Sequence, residues 1–109
     1  MEQIERGDLF RVSFKGEGHR IDGPHYAVVV SDEPYNWLST VVVVPFSSGA
    51  RQDEIHPEAT INGTRTRAMV EQVQAIDKTK LKDKVGSIAG ATVMALIDEQ
   101  LRYLLALDY

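Results

Sequence analysis

The chain reads as a mainly β domain of the α+β class, closed by one C-terminal helix. Three observations predict this: two dense runs of β-branched residues, turn signals that divide the first two thirds into short segments, and a terminal stripe of leucines at helical spacing. Its 109 residues fit one domain, residues 1–109, and leave no room for a second core.

After the turn-like Arg6-Gly7-Asp8, Leu9, Arg11 and Ser13 alternate with Phe10, Val12 and Phe14, the period of a half-buried strand. Lys15 to Pro24 holds three glycines and a proline and reads as a loop of a length that often carries function. Tyr26–Ser31 and Ser39–Phe46 read as central strands. Both are apolar on their two faces, through Val28-Val29-Val30 and Val41-Val42-Val43-Val44, so each needs cover on both sides, from barrel closure or from a helix. Ser47 to Arg51 is a polar turn, and Glu54–Ile61, interrupted by Pro57, is an edge strand at most. Asn62-Gly63 signals a hairpin, after which Thr66–Ala75 resumes a strand. Asp77 is placed to cap one or two helical turns over Lys78–Lys82. From Ala91, Val93, Leu96, Ile97, Leu101, Leu104 and Leu105 form an amphipathic helix ending near Leu107, whose apolar face is core.

Hydrophobic residues make up 43% and charged residues 26%, which predicts a packed core rather than disorder. The longest clean apolar run, Val41 to Phe46, is far short of a membrane span. The acidic start Met-Glu-Gln-Ile-Glu-Arg lacks the basic and apolar regions of a secretory signal, and cysteine is absent, so a reducing, cytoplasmic location is expected. A net charge of -4 argues against coating nucleic acid by bulk charge, yet leaves a local basic groove open. Positive residues cluster at Lys15, His19 and Arg20, at Arg51, and at Arg65 and Arg67; folding either gathers these on one face or scatters them.

No metal and no cofactor are expected. His19, His25 and His56 lie in separate segments without metal-ligand spacing and read as surface histidines, and neither a phosphate-binding glycine loop nor a nucleophile elbow is present. One coincidence of position remains. His25 begins one central strand and Ser47 ends the next, so an antiparallel pairing makes them neighbours. A group that exchanges protons near neutral pH beside a hydroxyl donor suits phosphodiester transesterification, the RNA 2'-hydroxyl being the nucleophile; ordinary strand-end polar residues are the alternative.

Arg6-Gly7-Asp8-Leu9-Phe10, Ala27-Val28-Val29-Val30-Ser31, Thr40 to Ser47 (TVVVVPFS), Glu71 to Leu81 (EQVQAIDKTKL) and Gly86-Ser87-Ile88 follow one another along nearly the whole chain. In that order they resemble the successive motifs of the MazF/PemK toxin family. The resemblance implies a five- or six-stranded, strongly twisted antiparallel sheet curled into an SH3-like partial barrel with a C-terminal helix. It also implies a homodimer, a sequence-selective endoribonuclease that leaves a 2',3'-cyclic phosphate on single-stranded RNA, and a cognate antitoxin that neutralises it.

By the same resemblance Ser47 falls on the family's catalytic threonine and keeps its hydroxyl. His25 falls where the family carries arginine, and Tyr26 where it carries proline. Arginine is permanently charged and bidentate whereas histidine titrates, which leaves three outcomes: His25 takes over acid-base work, Arg20 reaches in from the loop, or activity is weakened. The first is the reading adopted, with His25 and Ser47 as catalytic residues. Glu71 and Gln72 fall on the family's acid-Gln pair and, with Arg20, Ser48 and Arg51 from the flanking loops, make up the expected RNA contacts. A catalytically weak or inactive module binding RNA or protein on the same fold is the rival reading.

Overall fold

The structure is a computed structural model that describes residues 3–107; the first two residues of the acidic N-terminal segment and the last two of the chain lie outside it. Among the described residues, seven antiparallel strands form one curled sheet: β1 (Asp8–Phe14), β2 (Gly23–Val29), β3 (Thr40–Ser47), β4 (Glu58–Ile61), β5 (Thr64–Ala68), β6 (Gln74–Asp77) and β7 (Leu81–Ser87). The order is β4-β5-β3-β2-β1-β7, and β6 also pairs with β3. A helix, α1 (Thr92–Leu104), completes the domain. No helix of the described residues is long and apolar enough to cross a membrane.

The requirement that β2 and β3 be covered on both faces is met by both available devices, one on each face. Register pairs Val28 with Val44 and Val29 with Val43, so neighbouring valines point to opposite sides. Val28 and Val44 pack with Leu9, Phe46, Ala68 and the helix residues Met94 and Ile97. Val29 and Val43 pack with Phe10, Val12, Phe14 and Val41, and that side is closed by Ile76 of β6 and Leu81 of β7 as the sheet curls over. Each fully buried valine contributes roughly 1.5–3 kcal/mol of transfer free energy, so neither face tolerates exposure. The result is the expected half-barrel with one helix against its outer side.

Three expectations are corrected. Thr66–Ala75 is not one strand: β5 pairs with Phe46 and Ser47, a 3-10 turn at Val70–Gln72 follows, and β6 then pairs with Thr40 to Val43 farther along the same edge of β3. The break is tertiary, since Val70 is buried in the helix-side core and Met69 donates its amide to the Pro45 carbonyl (2.8 Å). Lys78–Lys82 is a single 3-10 turn, Lys78–Lys80, on which the Asp77 carboxylate does accept the Thr79 amide (2.9 Å). It leads straight into β7, an edge strand whose Lys82, Asp83 and Lys84 conceal it from a hydrophobicity pattern. The helix ends at Leu104 rather than near Leu107. There Ala106, at φ 57°, occupies the left-handed position of a C-terminal cap in which Leu107 donates to the Arg102 carbonyl (2.8 Å).

Arg6, Gly7 and Asp8 join the helix to the sheet. Arg6 forms a two-pronged ion pair with Asp98 of α1 and donates through Nε to the Val30 carbonyl (2.8 Å). Gly7 donates to the Val29 carbonyl and accepts from the Ile88 amide, both at 2.8 Å. Its φ is +95°, and an added Cβ would stand 2.7 Å from the Ala89 side chain. Asp8, almost fully buried, accepts the Glu5 amide (2.9 Å) and pairs with Lys84 (3.3 Å).

Gly7→Ala is therefore expected to destabilise the protein by about 2 kcal/mol or more in chemical denaturation, from left-handed strain plus the clash with Ala89. Ala106→Gly should act in the opposite sense, raising stability by about 1 kcal/mol, because glycine adopts the left-handed cap without a Cβ penalty. An unchanged denaturation midpoint in either variant would contradict the corresponding backbone assignment.

Candidate functional site

Strand β2 begins at Gly23, three residues before the β-branched run, because Pro24 and His25 pair with Ser13 and Val12 of β1. His25 is thus held inside a strand. The β2–β3 ladder ends where Ala27 pairs with Pro45; His25 and Ser47 lie two residues beyond it on their strands, and His25 meets the backbone of Phe46 next to Ser47. The imidazole lies tilted against Phe14, with Nδ1 2.9 Å from the Phe46 carbonyl and Nε2 2.9 Å from the Asp22 carbonyl. Carbonyl oxygens only accept, so the doubly protonated ring satisfies both, whereas a neutral ring satisfies one.

Ser47 accepts the Gly49 amide at 3.3 Å and so closes the turn after β3, leaving its own hydroxyl proton to donate elsewhere. Ser48, the first residue of the turn after β3, lines a groove of about 330 Å³. That groove follows from the strand period. On β1, β2, β3 and β5 the residues Leu9, Val28, Val44, Phe46 and Ala68 pack with the helix, while Arg11, Tyr26 and Thr66, two positions on from Leu9, Val28 and Ala68, continue the same face beyond it. Past the helix the face turns polar. Ser13, Ser48 and Thr64 follow, Lys82 of β7 flanks it and His25 borders it.

The expected RNA contacts divide between places. Arg20, Glu71 and Gln72 come together around a second hollow, with His19, Val73 and Gln74, so Arg20 does not reach the groove bordered by His25. Gln72 uses both ends of its amide on the Lys15–Asp22 loop: Oε1 accepts from the Ile21 amide (3.1 Å) and Nε2 donates to the His19 carbonyl (2.7 Å). Gly16 lets that loop fold back, since a Cβ there would lie 2.2 Å from the Ile21 carbonyl oxygen. Arg51 is 89% exposed and 3.5 Å from Asp53, and Arg65 and Arg67 both pair with Glu58. None of the three basic clusters lines the groove; Arg11 and Lys82 supply its fixed charge instead.

His56 was expected at the surface and is instead only 6% exposed. Its Nε2 meets the Glu71 carboxylate (2.8 Å) and its Nδ1 the Arg51 carbonyl (2.7 Å), with Asp53 at 3.1 Å, while Arg67 donates to the His56 carbonyl (2.9 Å). This clamp ties the loop between β3 and β4 to the turn carrying Glu71 and Gln72. Arg51 and Asp53 belong to the loop of His56 itself, whereas Glu71 and Arg67 are brought to it by the fold, so the sequence does not mark the clamp. Among the described residues no group of three His, Asp or Glu side chains is arranged to hold a metal ion.

Burial opposes the charge on His56, but the hydrogen bonds to Glu71 and to the Arg51 carbonyl and the charges of Glu71 and Asp53 outweigh it, so its pKa is raised above the ordinary 6.5. A raised folded-state pKa stabilises fully below the unfolded value and is lost as pH rises through the folded one. Urea denaturation should accordingly show wild-type stability falling from about pH 6.5 upward more steeply than that of His56→Gln. Parallel pH profiles for the two proteins would refute the clamp's charge.

Comparison with known proteins gives a consistent answer. Residues 5–105 match the family described as PemK-like, MazF-like toxin of type II toxin-antitoxin system. A protein of Mycobacterium tuberculosis that bears the provisional name of toxin is 41% identical over 75 residues, 67% of this chain and 70% of its own. In fold, the chain is similar to the crystal structure of MazF from Deinococcus radiodurans, with a TM-score of 0.86 at 21% identity over 98% of this chain and 100% of that one. It is also similar to an endoribonuclease in complex with its cognate antitoxin from a mycobacterial species, with a TM-score of 0.72 at 18% identity over 100% of this chain and 99% of that one. The family match across nearly the whole chain, the motifs in their order and the half-barrel agree: this chain belongs to the PemK-like, MazF-like toxins of type II toxin-antitoxin systems.

Proposed function

We propose that this protein is a sequence-selective, metal-independent endoribonuclease that cuts single-stranded RNA by transesterification, so inhibiting translation and growth, and that a cognate antitoxin neutralises it. It works in the cytoplasm as a homodimer. The observation that carries the reading is the contact of His25 with the carbonyl of Phe46, next to Ser47, at the adjoining ends of β2 and β3, within the family just identified.

The chemistry follows from the hydrogen bonds. A neutral His25 that donates Nδ1–H to the Phe46 carbonyl is fixed as the tautomer with a bare Nε2. That nitrogen now faces the Asp22 carbonyl; substrate entering beside the loop displaces the contact, and Nε2 accepts the proton of the RNA 2'-hydroxyl. The 2'-oxygen bonds to phosphorus while the bond to the 5'-oxygen breaks, leaving a 2',3'-cyclic phosphate, and the departing oxygen takes its proton from solvent. Ser47 donates its hydroxyl to the crowded phosphate. Gln72 and the Glu71–His56 clamp set the two flanking loops, while Arg20, Ser48 and Arg51 touch the strand beyond the cut bond.

A second reading, a weak or inactive binding module on the same fold, is favoured by the double engagement of His25 and by the commitment of the Gln72 amide to the loop. Long RNA incubated with the purified protein in EDTA separates the two. The nuclease reading expects discrete fragments ending in cyclic phosphate, slowed at least about tenfold by Ser47→Ala and by His25→Ala. Salt-sensitive binding with no fragments would favour the module, and full cleavage by His25→Ala would remove the histidine from the mechanism.

A further inference from the structure

We propose that the groove around Arg11, Tyr26 and Lys82 is a binding site for one nucleotide of the same RNA strand, flanking the cut bond. This rests on the ribonuclease reading and extends it to residues outside the expected site.

The groove's chemistry is selective. The chain carries 16 acidic residues against 12 lysines and arginines, yet the groove is lined by Arg11, Lys82 and His25 with no Asp or Glu. An acid-free cationic hollow on an acidic protein suits a phosphate. The same hollow offers hydroxyls from Ser48, Thr64 and Thr66, able to donate to phosphate or to meet base edges. Its volume of about 330 Å³ lies at the small end of the roughly 300–1,000 Å³ typical of ligand pockets, which fits one nucleotide and not a folded segment.

Arg11 is prepared for this task. Its guanidinium lies over the Tyr26 ring, 4.9 Å from the centroid, and donates to the Tyr26 hydroxyl at 3.0 Å. One face of the guanidinium is thus held by the ring. The side chain is exposed, so the other face is open to a stacked base or a phosphate oxygen, both common partners of a fixed arginine plane. Continuity supports the same strand as occupant: Ser48 in the groove adjoins Ser47, and His25 borders the groove.

The experiment compares oligoribonucleotides with and without flanking nucleotides, and uses a 2'-O-methyl version, which cannot react, for binding. Arg11→Gln should weaken binding of the long oligonucleotide and raise its KM about tenfold, with kcat changed less than about threefold, as expected for loss of one stacked or phosphate contact. The salt dependence of binding should also fall by about one phosphate contact. Tyr26→Phe, which keeps the ring and removes the hydroxyl that holds Arg11, should give a smaller loss in the same direction. Arg65→Gln, which removes equal charge from an exposed side chain outside the groove, should leave affinity unchanged. With an oligonucleotide cut back to the two nucleotides around the scissile bond, wild type and Arg11→Gln should behave alike.

Equal binding of the long oligonucleotide by wild type and Arg11→Gln would overturn the proposal. A fall in kcat alone would do so too, by moving Arg11 to the reaction itself. Loss of binding to an acidic peptide, with RNA binding intact, would assign the groove to a protein partner instead. If RNA is bound but never cut, the nuclease reading fails while an affinity loss in Arg11→Gln still upholds the subsite.

Discussion

The structure depends on the burial of β2 and β3 on both faces. A pair of strands that presents valine to either side cannot sit at the surface of a sheet, and a chain of this length has one helix among its described residues to offer. The sheet therefore supplies the other cover by curling until β6 and β7 meet it. Beyond the residues that pack with α1, the ends of β1, β2, β3 and β5 carry the exposed Arg11, Ser48 and Thr64. Polar residues at those ends, forbidden under the helix, are free to become a site.

Much of this was legible in the sequence. The two valine runs, the hairpin at Asn62-Gly63, the leucine stripe of α1 and the neighbourhood of His25 and Ser47 all follow from period and turn chemistry, which are local. What escaped is non-local. Thr66–Ala75 looks continuous because nothing within it announces that Val70 will be drawn into the core. β7 looks like solvent-exposed chain because a strand at a sheet edge carries lysines. His56 resembled a surface histidine because burial with Glu71, Asp53 and the Arg51 carbonyl is a property of the assembled loops. Arg11 was read as the polar side of a strand, which it is; only the pairing with Tyr26 makes it part of a groove.

The site is also unusual in how its loops are restrained. Segments joining strands are commonly the most variable and mobile parts of a domain. Here the β1–β2 loop is held by the Gln72 amide and the β3–β4 loop by Glu71 and Arg67, and all three restraints issue from the stretch between β4 and β6. Pre-set loops lower the ordering entropy that binding would otherwise require. Glu71 holds His56 of the β3–β4 loop, and Gln72 holds Ile21 and His19 of the β1–β2 loop.

Ser47 is the last residue of β3, and Ser48, the first residue of the turn that follows, lines the groove. An RNA that reaches both must turn with the chain at the end of β3. Duplex nucleic acid, with a persistence length on the order of 50 nm for DNA, resists so sharp a turn, whereas an unpaired strand swivels at each nucleotide. Selection for unpaired substrate would then be mechanical: the strand end acts as a post that a flexible polymer rounds and a stiff one does not.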